Sequence, residues 1–153
     1  MISAWRITKQ KHAKSAFTGE GAKLYGGRWN NRGRLVVYTA ESRALALTEI
    51  LVHLESAAVL SSYIVFQVEI DESFIAHLDR GALPKNWTSE PAPKRLQTLG
   101  DKWLASGNSV ALRVPSAIIT GEFNYLLNPL HPDFSKLLIR GPERFPIDKR
   151  LIK

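Results

Sequence analysis

Between residues 25 and 54 the chain is committed to a turn, a strand and a helix in close succession. Tyr25-Gly26-Gly27-Arg28-Trp29-Asn30-Asn31 comes first. The β-branched run Leu35-Val36-Val37-Tyr38-Thr39 follows, and then a mostly apolar stretch from Arg43 to Leu54. Gly26 and Gly27 let the backbone turn tightly or approach a ligand closely. The β-branched run predicts a strand, and Ser42 predicts the N-cap of a helix running to about Leu54. This order sets Arg28 and Glu49, of opposite charge, at fixed offsets around the three elements. Arg28 offers a planar fork of donors suited to phosphate. Glu49 is the odd residue among Leu45, Ala46, Leu47, Ile50, Leu51 and Val52. It either points to solvent, pairing with His53 four residues on, or sits in a site.

The flanking sequence predicts more strands than helices. Ala4 to Thr8 reads as a first strand, with Trp5 and Ile7 on one face and Arg6 on the other. Lys9 to Gly27 is polar and glycine-bearing and reads as a long loop, a length that often carries function. Tyr63 to Ile70 is the clearest strand, apolar enough for partial burial on both faces. Phe74 to Leu78 reads as a short helical turn, Leu83 to Pro93 as a loop, and Lys94 to Ala105 as a helix ending near Gly107. Ser109 to Val114 and Phe123 to Leu127 read as strands, and Leu137 to Arg140 with the last residues completes the β content. The expectation is an α+β fold, a single compact domain over 1–153 with mixed or antiparallel sheets and a few helices. The 153 residues suit one core, and 44% hydrophobic content excludes a disordered chain.

Several function classes are set aside by what the chain lacks. It has no cysteine, so disulfides and thiolate metal sites are excluded. His12, His53, His77 and His131 are far apart in sequence and form no ligand pair with a nearby carboxylate, so no metal is expected. There is no Gly-x-Ser-x-Gly elbow, Walker motif or dinucleotide fingerprint. No apolar core follows the first charges and no long apolar run occurs, so neither a signal peptide nor a membrane span is expected. The cytoplasm is the default location. The net charge of +7 lies wholly in residues 1–34, which hold eight Lys or Arg against the single acid Glu20; thirteen basic and thirteen acidic side chains cancel in the remainder. A basic segment around the Gly-Gly-Arg turn attracts nucleic acid, dinucleotides or an acidic partner, or is merely a solvated edge.

The residues also carry a resemblance. Trp5-Arg6-Ile7, Gly26-Gly27-Arg28-Trp29-Asn30 with Gly33, Val37-Tyr38, Ser42 with Ala46 and Glu49, Val114-Pro115-Ser116, and the run Glu122, Asn124, Leu126, Asn128-Pro129, His131 resemble the RES domain. This is a family of bacterial toxins from type II toxin–antitoxin systems. The family is named for an Arg, a Glu and a Ser, which match Arg28, Glu49 and Ser116, with Ser42 as second choice for the serine. The resemblance implies a fold like that of ADP-ribosyltransferases of the diphtheria-toxin kind, and consumption of NAD without a metal. It implies a cognate antitoxin, often of the DNA-binding Xre type. On this reading Arg6 and Arg28 bind the NAD pyrophosphate and Tyr38 presents a face to nicotinamide. Glu49 stabilises the ribosyl cation, and Ser116 orients Glu49 or a ribose hydroxyl.

Three functions follow for test. The first is an NAD glycohydrolase or phosphorylase toxin held by its antitoxin. The second is a protein ADP-ribosyltransferase with the same site. The third is a basic nucleic-acid-binding module built on the N-terminal segment and Trp5, Trp29, Trp87 and Trp103. Against the third, the tryptophans are dispersed and the basic residues form no recognised motif, so no direct nucleic-acid binding is expected. Acceptor, antitoxin identity and homo-oligomerisation within a toxin–antitoxin complex are left open by the sequence.

Overall fold

Seven strands form one mixed sheet in the order β4-β5-β6-β2-β1-β3-β7. The computed structural model describes residues 1–54 and 62–152. Strand β1 (Ile2–Lys9) pairs antiparallel with β3 (Tyr63–Ile70) along its whole length, from Ile2 opposite Ile70 to Lys9 opposite Tyr63. The edge strand β7 (Leu138–Arg144) extends this half through β3, with a register shift between Val65 and Gln67. The other half joins β2 (Val37–Ala40), β6 (Phe123–Leu127), β5 (Ala111–Pro115) and the short β4 (Ile75–His77), which alone runs parallel to its neighbour. The two halves meet at a single pairing, Trp5 opposite Ala40.

That seam is closed by a side chain. Arg6 donates from Nη1 to the Tyr38 carbonyl at 3.0 Å and from Nε to the Ala16 carbonyl at 2.6 Å. The guanidinium thus does across the seam what a ladder amide would do in a continuous sheet.

Side-chain alternation along the strands assigns each element to a face. Trp5, Ile7, Ala40 and Val65 pack with Leu45 and Ala46 of helix α2 (Arg43–Leu51). Leu112, Val114 and Leu126 pack with Trp29, Val36 and Leu96, the last from helix α3 (Lys94–Ser106). These two clusters share one sheet face. Ala4, Val37, Val68, Ile70 and Leu127 make the core of the opposite face, where Ala16, Ile64 and Phe66 add a smaller cluster. Among the described residues no helix is long and apolar enough to cross a membrane.

Most sequence-based elements are present, and three differ. The stretch read as a loop over 9–27 contains a 3₁₀ helix at Gln10–Ser15 and the short helix α1 (Glu20–Tyr25), neither of which buries a residue fully. The helical turn expected over 74–78 is a 3₁₀ turn at Glu72–Phe74 followed by β4. The last residues form a 3₁₀ turn at Lys149–Leu151 instead of adding to the sheet. Helix α2 is capped as expected, with Ser42 Oγ accepting from the Leu45 amide at 3.0 Å. It ends at Leu51, three residues early.

Candidate active site

The Gly-Gly-Arg turn is a built object. Gly26 has φ +72°, a left-handed conformation that strains other residues. A Cβ on Gly27 would fall 2.6 Å from the Tyr38 hydroxyl and 2.8 Å from Asn30 Oδ1, so only glycine fits there. The Tyr38 hydroxyl donates to Asn30 Oδ1 at 2.6 Å and accepts from the Trp29 amide at 3.1 Å. Asn30, fully buried, donates to the Ala22 and Asn31 carbonyls. Helix α3 braces the turn from outside. Gln97 donates to the Gly27 carbonyl, and Asp101 accepts from the Asn31 amide and side chain at 3.1 and 2.7 Å.

Arg28 leaves this turn toward the loop before α3. Its Nη1 donates to the Trp87 and Ser89 carbonyls at 3.1 and 3.0 Å, and its Nη2 to Glu90 Oε2 at 3.0 Å. Burial raises the Tyr38 pKa far above the ordinary phenol range, so the ring carries a neutral hydroxyl already committed to the turn. The Tyr38 hydroxyl therefore serves to hold Trp29 and Asn30 in place.

Glu49 stands on the buried side of α2, one turn beyond Leu45 and Ala46, instead of on the solvent side. Ser116, 2% exposed, donates from Oγ to Glu49 Oε1 at 3.3 Å. The same oxygen accepts from the Ile118 and Ile119 amides, both at 3.1 Å, which fixes its position just after β5. Burial is the largest influence on Glu49 and pushes its pKa up. Ser116, Asn124, His53 and Arg28 act in the other direction, in that order. Asn124, at the start of β6, donates to the Thr39 carbonyl at 3.2 Å. Arg28 and His53 favour the charge on Glu49 through space; neither forms an ion pair with it among the described residues.

The residues singled out in the sequence thus fall into three groups. Glu49 and Ser116 are in contact. Arg28 and Tyr38 belong to the turn, on the same sheet face as α2. Arg6 sits at the seam, its side chain leaving β1 on the face opposite Trp5 and Ile7. Burial brings its pKa down to about 10, which leaves it charged at neutral pH. Ser42 is occupied as the helix cap. Residues not singled out for this role are Asn124 beside Glu49, Gln97 and Asp101 behind the turn, and Trp87, Ser89 and Glu90 around Arg28. Among the described residues no group of three or more His, Cys, Asp or Glu gathers as a metal centre requires.

The model of the RES domain family matches residues 3–148. The chain belongs to the RES domain family. Curated relatives agree along nearly the whole length of this RES domain. The Toxin Res of Yersinia enterocolitica is 42% identical over 148 residues, covering 96% of this chain and 97% of that protein. The Prs ADP-ribosylating toxin of Sphingobium sp. is 38% identical over 157 residues, covering 99% of this chain and 97% of that protein. A chain from the crystal structure of the M. tuberculosis MbcT–MbcA toxin–antitoxin complex shares the fold, with a TM-score of 0.78 at 18% identity over 94% of this chain and 84% of that chain.

Proposed function

We propose that this RES domain is a toxin that consumes NAD by cleaving the nicotinamide–ribose bond, as a glycohydrolase or phosphorylase, in the cytoplasm. The observation that carries this reading is the half-buried Glu49 carboxylate, held by Ser116 on the same sheet face as the Arg28 turn, with Asn124 favouring its charged form. As the C–N bond breaks, its electron pair leaves with nicotinamide and positive charge builds at the anomeric carbon. A fixed carboxylate in a partly water-excluded position stabilises that charge and accepts hydrogen bonds from the ribose hydroxyls. Arg28 supplies donors for the pyrophosphate. Water or phosphate then bonds the anomeric carbon and gives up its proton to solvent. The Tyr38 ring offers an apolar face to nicotinamide. Names of relatives support a toxin, and the structural neighbour supports a partner antitoxin, for which the family resemblance suggests the Xre type.

The test is release of free nicotinamide from NAD by the purified chain and by Glu49→Gln. Release by the wild type and loss in the variant is the expected result. A folded Glu49→Gln protein with wild-type turnover would reject the assigned role. A second reading, transfer of ADP-ribose to a protein, is favoured by the name of the Sphingobium relative. It predicts labelled ADP-ribose on a protein acceptor in lysate.

A further inference from the structure

The most specific feature outside the Glu49 cluster is the way Arg28 is held. Its two terminal nitrogens have different partners. Nη1 is bonded to two backbone carbonyls, Trp87 and Ser89, at 3.1 and 3.0 Å. Those carbonyls belong to a loop anchored by Trp87, which packs against the cluster of Trp29, Leu96 and Leu112. Nη2 is bonded to the Glu90 carboxylate at 3.0 Å. The Glu90 side chain is 75% exposed, whereas that of Arg28 is 20% exposed. One edge of the guanidinium is thus fixed by main-chain carbonyls of a loop whose Trp87 is packed against the core. The other is met by a carboxylate standing in water, the kind of ion pair that contributes little to stability.

We infer that Glu90 occupies the place on Arg28 that an anionic substrate group takes, and is displaced when that group binds. The inference rests on the proposed NAD-binding role of Arg28 and adds the residue that regulates it. The geometry divides the labour. The Trp87 and Ser89 carbonyls keep the fork oriented with or without ligand, because neither needs to move. Glu90 neutralises the free edge while the site is empty. A pyrophosphate offers the same charge-assisted contact from more oxygens and more charge, so it can replace a single exposed carboxylate. A neutral ligand gains nothing from the exchange, so the arrangement selects for anionic substrates. The cost of displacement falls on binding, and Glu90 therefore sets KM in preference to kcat.

The experiment compares wild type, Glu90→Gln and the double variant Arg28→Lys/Glu90→Gln, each checked for folding by thermal melt. Calorimetry measures ADP-ribose and inorganic pyrophosphate binding, and nicotinamide release gives KM and kcat for NAD. Glutamine keeps the shape and an acceptor for Nη2 while removing the competing charge. The expected result is roughly fivefold tighter ADP-ribose binding by Glu90→Gln, the scale of one exposed ion pair. The KM for NAD falls by a similar factor, and the gain disappears in the double variant. Equal affinities in wild type and Glu90→Gln overturn the inference, as does a gain that survives without the arginine fork. Tighter anion binding in a chain that releases no nicotinamide upholds displacement and removes the NAD-cleaving reading. Nicotinamide release with unshifted affinity and KM does the reverse. Absence of ADP-ribose and pyrophosphate binding in all three proteins overturns both.

Discussion

Glu49 is held where its charge is unfavourable, and that conflict has a measurable sign. Burial raises its pKa above the ordinary carboxylate value of 4.5, and the donors around it offset the effect only in part. Between the ordinary and the raised value the native chain binds more protons than the unfolded chain. Stability from this group is therefore fully present at low pH and is lost as pH rises through the raised pKa. Glu49→Gln should remove that loss, since glutamine keeps an acceptor for Ser116 Oγ. The variant is expected to melt no lower than wild type at neutral pH, with its relative advantage growing from acidic to neutral pH. Nicotinamide release should fall by several kcal/mol in transition-state terms, the scale of one key electrostatic group. Activity of the wild type runs the other way, declining on the acid side as Glu49 takes up its proton, at a pH above that of an ordinary glutamate. A melting curve series and a pH–rate profile on the same protein check both limbs. A variant that melts well below wild type at neutral pH would show that the carboxylate stabilises the fold.

Helix α3 matters to the site through one glycine. A Cβ on Gly100 would fall on the Trp29 carbonyl, so α3 lies directly against the turn that presents Arg28. Gly100→Ala should destabilise the protein by about 2 kcal/mol, because overpacking outweighs the gain of about 1 kcal/mol in helix propensity. It should also weaken anion binding, since Gln97 and Asp101 on the same helix hold the turn. Gly21 in α1 is the control: nothing lies within 4 Å of its Cβ position, and Gly21→Ala should stabilise by about 0.5–1 kcal/mol. Denaturant unfolding of both variants tests the opposite signs. These elements also show what a sequence can and cannot convey. Tyr63–Ile70 and Phe123–Leu127 are read to the residue, because a strand buried by its neighbours carries its own apolar pattern. Helix α1 is missed because it is six residues long, buries none of them fully and so has no periodicity to display. Strand β4 is missed because its pairing is with Ala111–Arg113, far along the chain. The site divides in the same way. Glu49, Ser116 and Arg28 stand in motifs. Asn124 also stands in a motif, but its influence on Glu49 and the Glu90 contact at Arg28 come from long-range folding, and nothing local in the sequence marks Glu90.

At the scale of the whole molecule the sheet is two halves joined by one strand pairing and Arg6. Arg6→Leu would leave the Tyr38 and Ala16 carbonyls without their donors and should cost about 2 kcal/mol or more, read by denaturant unfolding. An unchanged midpoint would mean that the seam needs no side-chain closure. The excess positive charge is just as unevenly distributed. Of the eight basic residues in 1–34, Arg28 alone forms a salt bridge among the described residues, while Lys11, Lys14, Lys23, Arg32 and Arg34 are exposed. The hydrophobic Leu24 and Tyr25 are exposed in the same stretch, 61% and 77%, directly before the Gly-Gly turn. A free enzyme of the proposed kind needs only NAD and an acceptor, both always at hand in a cell. A partner is therefore expected to cover the approach to Arg28 and Glu49, and a basic surface with apolar residues gives an acidic segment of that partner a place to bind. Expression of the chain alone is expected to lower cellular NAD and arrest growth. Glu49→Gln should be expressed to the same level without either effect, and co-expression of the cognate antitoxin should restore both. NAD content and growth after induction measure the outcome. Arrest at unchanged NAD would shift the reading to protein modification, and active NAD cleavage in vitro without arrest would argue against a toxin.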